Sequence, residues 1–346
     1  MLLGQKNIVS NEALCRRLWE DIKNNSLSHA HIIEGKHGSG RHTIAKNIAA
    51  ALACSDEENL LPCGECKNCR DIFEDKCPDV ITISKEDKTS LGVEAVRKLK
   101  STLLAVPNNL EVKVYIIEDA DTMTVQAQNA LLLTLEEPPK NVYFLILCEN
   151  SRLLLETIRS RAAVLRTLSL SDSDIADYLL GEKTAKPEKS VSDAARALKK
   201  SNPAEFDSLL LSSNGSIGRA IELLSPKERA PISELRATAT SFISSLLSGS
   251  GILHPLSLLP EFSAKRPNLL QQLSYIKLAL RDLILLKKCE TVPLCFYTDR
   301  TAALDLSDRF SEKKLFSITE RVDAAFDAIQ RNANINLTLV DMLAHL

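Results

Sequence analysis

The chain has 346 residues, a length that favours two or three domains, because most domains hold about 100 to 200 residues. Its composition of 45% hydrophobic and 25% charged residues is average for globular proteins and excludes disordered, collagen-like and disulfide-scaffold classes. The 43 basic residues nearly balance the 45 acidic ones, which argues against a protein that coats nucleic acid through bulk positive charge.

Short β-branched runs alternate with segments of helical periodicity over residues 1–167, which is the pattern of a parallel sheet with connecting helices. Two of the connecting helices are predicted over 41–53 and 126–135, and Pro138 with Pro139 ends the second. The predicted strands are 30–33, 80–83, 112–117, 142–147 and 163–166.

After Leu170 the strand signals fade and helices dominate. Ser171 has the position of an N-cap before a helix over 174–180. Further amphipathic helices are predicted over 232–247, 269–289 and 318–330. The pattern therefore predicts an N-terminal α/β domain over 1–167, a small helical domain over 168–228 and a helical bundle over 229–346.

No export signal or membrane span is predicted. The start of the chain lacks a basic segment followed by an apolar one. The longest stretch without acidic or basic residues, 237–260, is interrupted by six serines, two glycines and two prolines. We therefore expect a cytoplasmic protein, in which the nine cysteines are thiols or metal ligands rather than disulfides.

A glycine-rich segment of the P-loop type follows the first predicted strand and opens a helix. Gly35, Gly38 and Gly40 supply the frame in which backbone N–H groups surround phosphates at a helix N-terminus. The two residues that contact the nucleotide and the metal in an active P-loop are replaced. Arg41 occupies the position of the lysine that reaches the phosphates, and His42 occupies the position of the serine or threonine that holds Mg²⁺. Histidine is a poor ligand for a hard cation, so the pattern predicts a nucleotide-binding fold with impaired chemistry.

The carboxylates after the third predicted strand are also altered. The strand ends in Glu118 and Asp119, whereas an active site has an aspartate for the metal and then a catalytic glutamate. Each carboxylate differs by one methylene from the expected one, and activation of water is sensitive to a misplacement of about 1 Å. The two defects together predict a site that does not hydrolyse ATP. A glycine-rich turn that never bound nucleotide is the alternative, and it is disfavoured because both halves of the motif occur in order.

Cys54, Cys63, Cys66 and Cys69 follow a C-x8-C-x2-C-x2-C pattern. Two-residue gaps place thiolates on tight turns that converge on a tetrahedral ion. An iron–sulfur cluster is the rival, because Cys77 precedes a proline as in ferredoxins, but its distance from the fourth cysteine is too long for that pattern. The spacing favours zinc, and a site whose four positions are all filled by the protein is structural.

An arginine pair, Arg159 and Arg161, precedes the last predicted strand. A guanidinium at a domain edge can enter the nucleotide site of another subunit and stabilise charge that develops on the γ-phosphate. From chemistry alone a solvated basic pair is favoured, because that is the commoner fate of an Arg-x-Arg segment.

Taken together, these residues resemble the delta-prime subunits of bacterial DNA polymerase III clamp loaders, within the AAA+ superfamily of ATPases. The resemblance is strong over roughly residues 8–168, and the remainder matches mainly in helical character. The stretches that carry it are SHAH at 28–31, the four cysteines, NALLLTLEEPP at 129–139, TIRSR at 157–161 and NAN at 332–334.

The resemblance implies an α/β domain of the P-loop NTPase type with a zinc-binding insertion at about 54–77, a helical lid at 168–228 and an all-α collar at 229–346 in which five subunits assemble. It implies structural Zn²⁺ on the four cysteines and a degenerate nucleotide site that is not expected to hold ATP or ADP. Gly218 stands where an active ATPase carries a sensor arginine.

The resemblance also implies that Arg161 acts in trans, in a Ser-Arg-Ala segment where the family has Ser-Arg-Cys. The chain would then be a stator that completes the ATP site of a gamma/tau motor subunit and, together with a delta subunit, helps load the β sliding clamp onto primed DNA. In that role it is a non-catalytic subunit of a nucleotidyltransferase holoenzyme. Two alternatives stay open: an autonomous AAA+ ATPase that uses Arg41 for lysine, and a zinc-dependent interaction or redox-sensing module outside replication.

Overall fold

The computed structural model describes residues 8, 11–56, 62–85, 90–103, 106–107, 109–182, 187–248, 256–289, 291–292, 294–331 and 333–346. Asn332 of the NAN segment and residues 57–61 of the predicted zinc insertion lie outside this set. The chain divides into two compact units, of which the first comprises Met1–Asp193 and Asn214–Arg219 and the second Ala194–Ser213 and Ala220–Leu346. The division into three domains stays a prediction.

A five-stranded parallel sheet forms the centre of the first unit. Its strands are β1 (Ala30–Glu34), β2 (Val80–Ile83), β3 (Lys113–Ile117), β4 (Val142–Cys148) and β5 (Ala163–Arg166). They are arranged in the order β2-β3-β4-β1-β5. The inner strands β3, β4 and β1 are almost entirely buried, which explains their unbroken apolar runs. The five predicted strands are confirmed, each to within one residue at either end.

Helices cover both faces of this sheet. Those that precede β5 are α1 (Glu12–Lys23), α2 (Arg41–Leu52), α3 (Lys67–Phe73), α4 (Val93–Leu103), α5 (Val125–Glu136) and α6 (Glu156–Arg159). Because successive side chains of a strand point to opposite faces, Tyr115 and Ile117 of β3 pack in the cluster that contains α4 and α5. Val114 and Ile116 pack in the other cluster, with α1, α2 and α3.

The chain after β5 is helical, as the sequence predicts. Its helices are α7 (Asp172–Leu179), α8 (Lys189–Ser201), α9 (Pro203–Ser213), α10 (Ile217–Glu222), α11 (Pro226–Ser248), α12 (Arg266–Lys288), α13 (Arg300–Asp308), α14 (Glu312–Gln330) and α15 (Ile335–Ala344). In the second unit, Leu273 and Ile276 of α12 pack in one core with Ile318 and Val322 of α14. The parallel α/β fold with a helical C-terminal region is therefore confirmed.

Several helices begin earlier than predicted, including α12 at Arg266 instead of 269 and α14 at Glu312 instead of 318. The Ser171 N-cap is confirmed, since its Oγ accepts a hydrogen bond from the N–H of Asp174 at 3.1 Å, but α7 begins directly after the cap rather than at 174. Helix α11 begins at Pro226 and continues through Pro231, whereas the prediction starts this helix after the second proline. Pro226 is compatible with a helix start, because the first N–H of a helix has no partner within it. Within the described ranges, no helix combines the length and the apolar character needed to cross a membrane.

His31 is a buried histidine in β1. Burial lowers its pKa from the ordinary 6.5 to about 4 and outweighs the opposing attraction of Asp21, while neighbouring His29 acts in the same direction as burial. Nδ1 of His31 has no hydrogen-bond partner among the described residues. The native form of this ring is therefore neutral.

We expect the first unit to lose stability as the pH falls from 6.5 to 4, because the unfolded chain binds a proton at His31 that the folded chain excludes. One proton corresponds to about 1.4 kcal/mol per pH unit, so the free energy of unfolding falls by about 3 kcal/mol over this window. His31→Leu should remove this contribution. Denaturant unfolding followed by the fluorescence of Trp19, the single tryptophan and a buried residue of α1, measures it.

The control is His37→Gln, which changes an exposed histidine of the same unit and should keep the wild-type pH dependence. Identical pH dependence in wild type and His31→Leu would contradict the assignment.

Candidate functional site

The phosphate loop connects β1 to α2 at the carboxyl edge of the sheet. A Cβ on Gly35 would lie 1.9 Å from Oγ1 of Thr167, so only glycine fits there. Gly38 has a φ of +70°, and a Cβ on it would lie 2.9 Å from the Cα of Gly218. Gly40, with a φ of 86°, has the left-handed conformation directly before α2. Close contacts thus require glycine at positions 35 and 38, and the positive φ favours glycine at positions 38 and 40.

Arg41 and His42 begin α2 and pair with acidic residues that follow two neighbouring strands. Nδ1 of His42 lies 3.1 Å from Oε1 of Glu118, directly after β3. The side chain of Arg41 is only 9% exposed, and its Nη2 lies 3.8 Å from Oε1 of Glu149, directly after β4. The residues that replace the lysine and the serine or threonine of an active loop therefore contact carboxylates of the same chain.

Asp119, which the sequence places at the position of a catalytic glutamate, pairs with a lysine. Its Oδ2 lies 3.2 Å from Nζ of Lys85, which follows β2. Its φ of 47° is in the left-handed region, a conformation that costs a non-glycine residue about 1 kcal/mol or more. The structure thus places Glu118 and Asp119 at the carboxyl edge of the sheet, where His42 lies beside Glu118 and Lys85 beside Asp119.

Residues 214–219, a turn followed by the start of α10, pack directly on the phosphate loop. Oγ of Ser216 donates to the carbonyl of His37 at 2.7 Å, and the N–H of Gly218 donates to the carbonyl of Gly38 at 2.9 Å. A Cβ on Gly218 would lie 2.6 Å from the Cα of Gly38. An arginine at the sensor position therefore cannot be accommodated unless this turn moves away from the loop.

A further contact between the loop and this segment involves two residues that sequence reasoning missed, Lys36 and Asn214. Nζ of Lys36 donates to the carbonyl oxygen of Asn214 at 3.1 Å and to its side-chain oxygen at 3.0 Å. Asn214 precedes a glycine and has a φ of 52°, so the sequence carries a local turn signal. That signal does not reveal a contact between residues 178 positions apart.

The four predicted cysteines converge. Their Sγ atoms all lie within 4.8 Å of one another, and those of Cys63 and Cys69 are 4.0 Å apart. A tetrahedral ion with Zn–S bonds of about 2.3 Å places its sulfurs about 3.8 Å apart, so the cluster fits zinc after small shifts. In the described part of the chain, no second group of three or more His, Cys, Asp or Glu side chains is this close together.

Backbone N–H groups point at three of the sulfurs. The N–H of Cys63 points at Sγ of Cys54 at 3.5 Å, that of Cys66 at Cys63 at 3.3 Å, and that of Cys69 at Cys66 at 3.4 Å. Burial raises the pKa of Cys54 and of Cys69. At Cys66 burial acts in the same direction, but hydrogen bonds from the N–H groups of Ser55 and Cys69 outweigh it and lower the pKa to about 6. Cys66 is thus more readily ionised than Cys54 and Cys69. A bound cation would keep all four ligands deprotonated.

The cysteine cluster joins the end of α2 to α3. Cys66 caps α3, and its Sγ accepts from the third residue after it. Nδ2 of Asn68 donates to the carbonyl of Ala53 at 2.8 Å, and Sγ of Cys69 lies 3.8 Å from the carbonyl of Ala50. All four ligand positions come from the protein, which is the arrangement of a structural metal site.

Arg161 lies at the other edge of the sheet. It precedes β5, which pairs in parallel with β1, so it lies at the amino edge while the phosphate loop follows the carboxyl end of β1. Its Nη2 is 2.8 Å from Oε1 of Glu136, and its Nη1 donates to the carbonyl of Thr157 at 2.9 Å. The structure therefore does not bring Arg161 to the phosphate loop of its own chain.

Comparison with known proteins matches residues 10–171 to the family described as DNA polymerase III, delta subunit. The chain is 34% identical over 163 residues to the delta' subunit of DNA polymerase III from Bacillus subtilis, covering 47% of this chain and 49% of that protein. It is 34% identical over 173 residues to the tau/gamma subunit from Haemophilus influenzae, covering 50% of this chain and 25% of the relative. The chain thus spans half or less of the length of these relatives.

Among solved structures, a gamma subunit-related protein of DNA polymerase III from Thermotoga maritima is similar over 97% of this chain and 98% of its own, with 19% identity and a TM-score of 0.43. The family match lies entirely within the first unit, which contains the phosphate loop, the cysteine cluster and Arg161.

We expect the purified protein to contain one zinc ion per chain and Cys66→Ser to lose it, because a structural site needs all four thiolates. If zinc is present at a hundred times its dissociation constant, its loss lowers the free energy of unfolding by about 3 kcal/mol. Elemental analysis and unfolding followed through Trp19 fluorescence measure the two effects. Cys77→Ser, which changes a cysteine outside the cluster, should keep the ion. Full zinc content in Cys66→Ser, or iron in place of zinc, would overturn the assignment.

Proposed function

We propose that the protein is the delta-prime stator of a DNA polymerase III clamp loader of the AAA+ family, a proposal supported by the family match over residues 10–171 and by the similarity to delta' subunits. In this role it does not hydrolyse ATP but supplies Arg161 to the ATP site of a neighbouring gamma/tau motor subunit. The observation that carries the proposal is the placement of Arg161 at the amino edge of the sheet, away from the chain's own phosphate loop.

The contacts of the phosphate loop support an inactive site in this chain. In an active loop, a hydroxyl and a carboxylate share a Mg²⁺ ion. Here Nδ1 of His42 lies 3.1 Å from the carboxylate of Glu118, so a protein group contacts the acid that would bind the metal. Nζ of Lys85 pairs with the carboxylate of Asp119. At the proposed sensor position, Gly218 packs against Gly38 and leaves no room for a side chain.

The surroundings of Arg161 support a role in trans. Its side chain is 35% exposed, so the guanidinium is accessible to another subunit. A guanidinium that enters a neighbouring site neutralises charge on the γ-phosphate in the transition state. The alanine after it, where the family has a cysteine, leaves these contacts intact because none of them involves residue 162.

We propose Zn²⁺ as the ion held by Cys54, Cys63, Cys66 and Cys69. When bound, it supplies a cross-link between the chain after α2 and the start of α3 and has no part in ATP hydrolysis. The closeness of the four sulfurs and the N–H groups directed at them support this choice.

The proposed partners are gamma/tau motor subunits, a delta subunit, the β sliding clamp and primed DNA, and the proposed site of action is the replication machinery of the cytoplasm. Three exposed apolar side chains of the proposed collar fit a surface that assembly would bury. They are Phe316, Leu337 and Val340, with exposed fractions of 45%, 72% and 41%.

A second candidate, an autonomous ATPase that uses Arg41 for lysine, has one observation in its favour. Nη1 of Arg41 and Nε2 of His42 are buried and have no hydrogen-bond partner in the described ranges. The buried N–H groups of Nη1 of Arg41 favour an oxyanion at the loop. ATP turnover by the isolated chain separates the two candidates, because only the autonomous enzyme hydrolyses ATP without partners.

We expect Arg161→Ala to lower ATP turnover by about tenfold or more at the adjacent motor site, because the γ-phosphate loses a cation that stabilises its transition state. The assay uses a complex reconstituted from this protein, motor and delta subunits, clamp and primed DNA. Gel filtration checks that the complex stays intact. The isolated wild-type chain should show no turnover.

Arg309→Ala is the matched control, since it removes another exposed arginine that is paired with an acidic residue, Asp305. It should leave turnover unchanged. Unchanged turnover in an intact Arg161→Ala complex, or turnover by the chain alone, would refute the stator mechanism.

A further inference from the structure

Arg161 is joined to a different element of the fold by its ion pair with Glu136. Nη2 of Arg161 lies 2.8 Å from Oε1 of Glu136, the last residue of α5. The two side chains are 35% and 42% exposed, and ion pairs with such exposure contribute little to folding stability. Stability therefore does not account for this contact.

The other contacts of Arg161 are local. Its Nη1 donates to the carbonyl of Thr157 at 2.9 Å and lies 3.3 Å from Oγ of Ser160. Both partners belong to the same turn of chain as Arg161, so they move with it. Glu136 is the contact that fixes the guanidinium relative to the sheet and its covering helices.

The three contacts leave donors for a ligand. A guanidinium has five N–H donors, of which these contacts use two on Nη1 and one on Nη2. Within the described part of the chain, the Nε–H and one N–H of Nη2 are free to bind an oxyanion. Glu136 therefore engages the guanidinium without using all of its donors.

Helix α5 is a rigid base for Glu136. Leu131 and Leu135 are buried in the core beside the sheet, and the carbonyl of Leu135 contacts Nε2 of His29 at 3.0 Å. The side chain of Gln128 accepts a hydrogen bond at 2.7 Å from the N–H of Leu155, directly before α6. Helix α5 is thus connected to the segment that carries Arg161 by a backbone anchor in addition to the ion pair.

We propose that Glu136 is a positioning residue, which orients the guanidinium of Arg161 toward the γ-phosphate bound by the neighbouring motor subunit. This inference rests on the proposed function. Arginine has a long side chain with many rotamers, and holding it in one of them before the partner arrives avoids an entropic cost in the transition state. Glu136 also offsets part of the positive charge, so its benefit lies in orientation and not in electrostatics.

The reconstituted complex tests this with Glu136→Gln. We expect kcat for ATP to fall by about fivefold, because a guanidinium without its anchor is misplaced. KM for ATP should stay constant, since the motor subunit's own loop binds the nucleotide. In an Arg161→Ala background, Glu136→Gln should have no further effect. Glu136→Asp, which keeps the charge but has a shorter reach, should give an intermediate kcat.

The matched control is Glu137→Gln, which neutralises the adjacent exposed glutamate, a residue without an ion pair in the described ranges. It should leave kcat unchanged. Gel filtration and the unfolding midpoint check that each variant folds and assembles.

The outcomes separate this inference from the proposed function. If the Arg161→Ala complex is inactive at the motor site while Glu136→Gln and Glu137→Gln have the same kcat, the role of Arg161 in trans is supported and the positioning role of Glu136 is refuted. Higher turnover in Glu136→Gln would also refute it, because the carboxylate would then restrain the arginine. If Arg161→Ala does not change ATP turnover in an intact complex, both the proposed function and the positioning role of Glu136 are refuted.

Discussion

Helix α2 is held at both of its ends, and the arrangement of the first unit depends on this. At its start, Arg41 and His42 contact carboxylates that follow two different strands. At its end, the chain passes into the cysteine cluster, where Asn68 and Cys69 contact the last carbonyls of the helix and the residue after it. The helix thus links the carboxyl edge of the sheet to the four thiols and keeps the phosphate loop in one conformation.

The replacements in the phosphate loop compensate one another. An active nucleotide site balances its carboxylates with a lysine and a metal ion. In this chain Arg41 faces Glu149, Nδ1 of His42 lies beside Glu118, and Lys85 faces Asp119. Gly218 belongs to the same set, because its missing side chain lets a turn hydrogen-bond to the loop carbonyls. Each of the three carboxylates at this edge therefore has a partner side chain from the same chain.

The parallel sheet places the phosphate loop and Arg161 at opposite edges. Residues that follow strands gather at the carboxyl edge, and residues that precede strands gather at the amino edge. The phosphate loop belongs to the first group and Arg161 to the second. A chain built in this way keeps Arg161 away from its own phosphate loop, which is the geometric basis of the proposed stator role.

Local patterns in the sequence determined the five strands, the Ser171 cap, the glycines of the loop and the four cysteines, because each of these signals lies within a few residues of chain. The sequence also showed that the loop and the carboxylates are altered, while the roles of the altered residues and of Arg161 remain predictions. Only the tertiary structure decided which groups pair: His42 with Glu118, Gly218 with Gly38, and Arg161 with Glu136. These contacts join segments that are far apart in the chain. The order of the strands and the packing of residues 214–219 on the phosphate loop bring them together, and no local periodicity in the sequence encodes these long-range contacts.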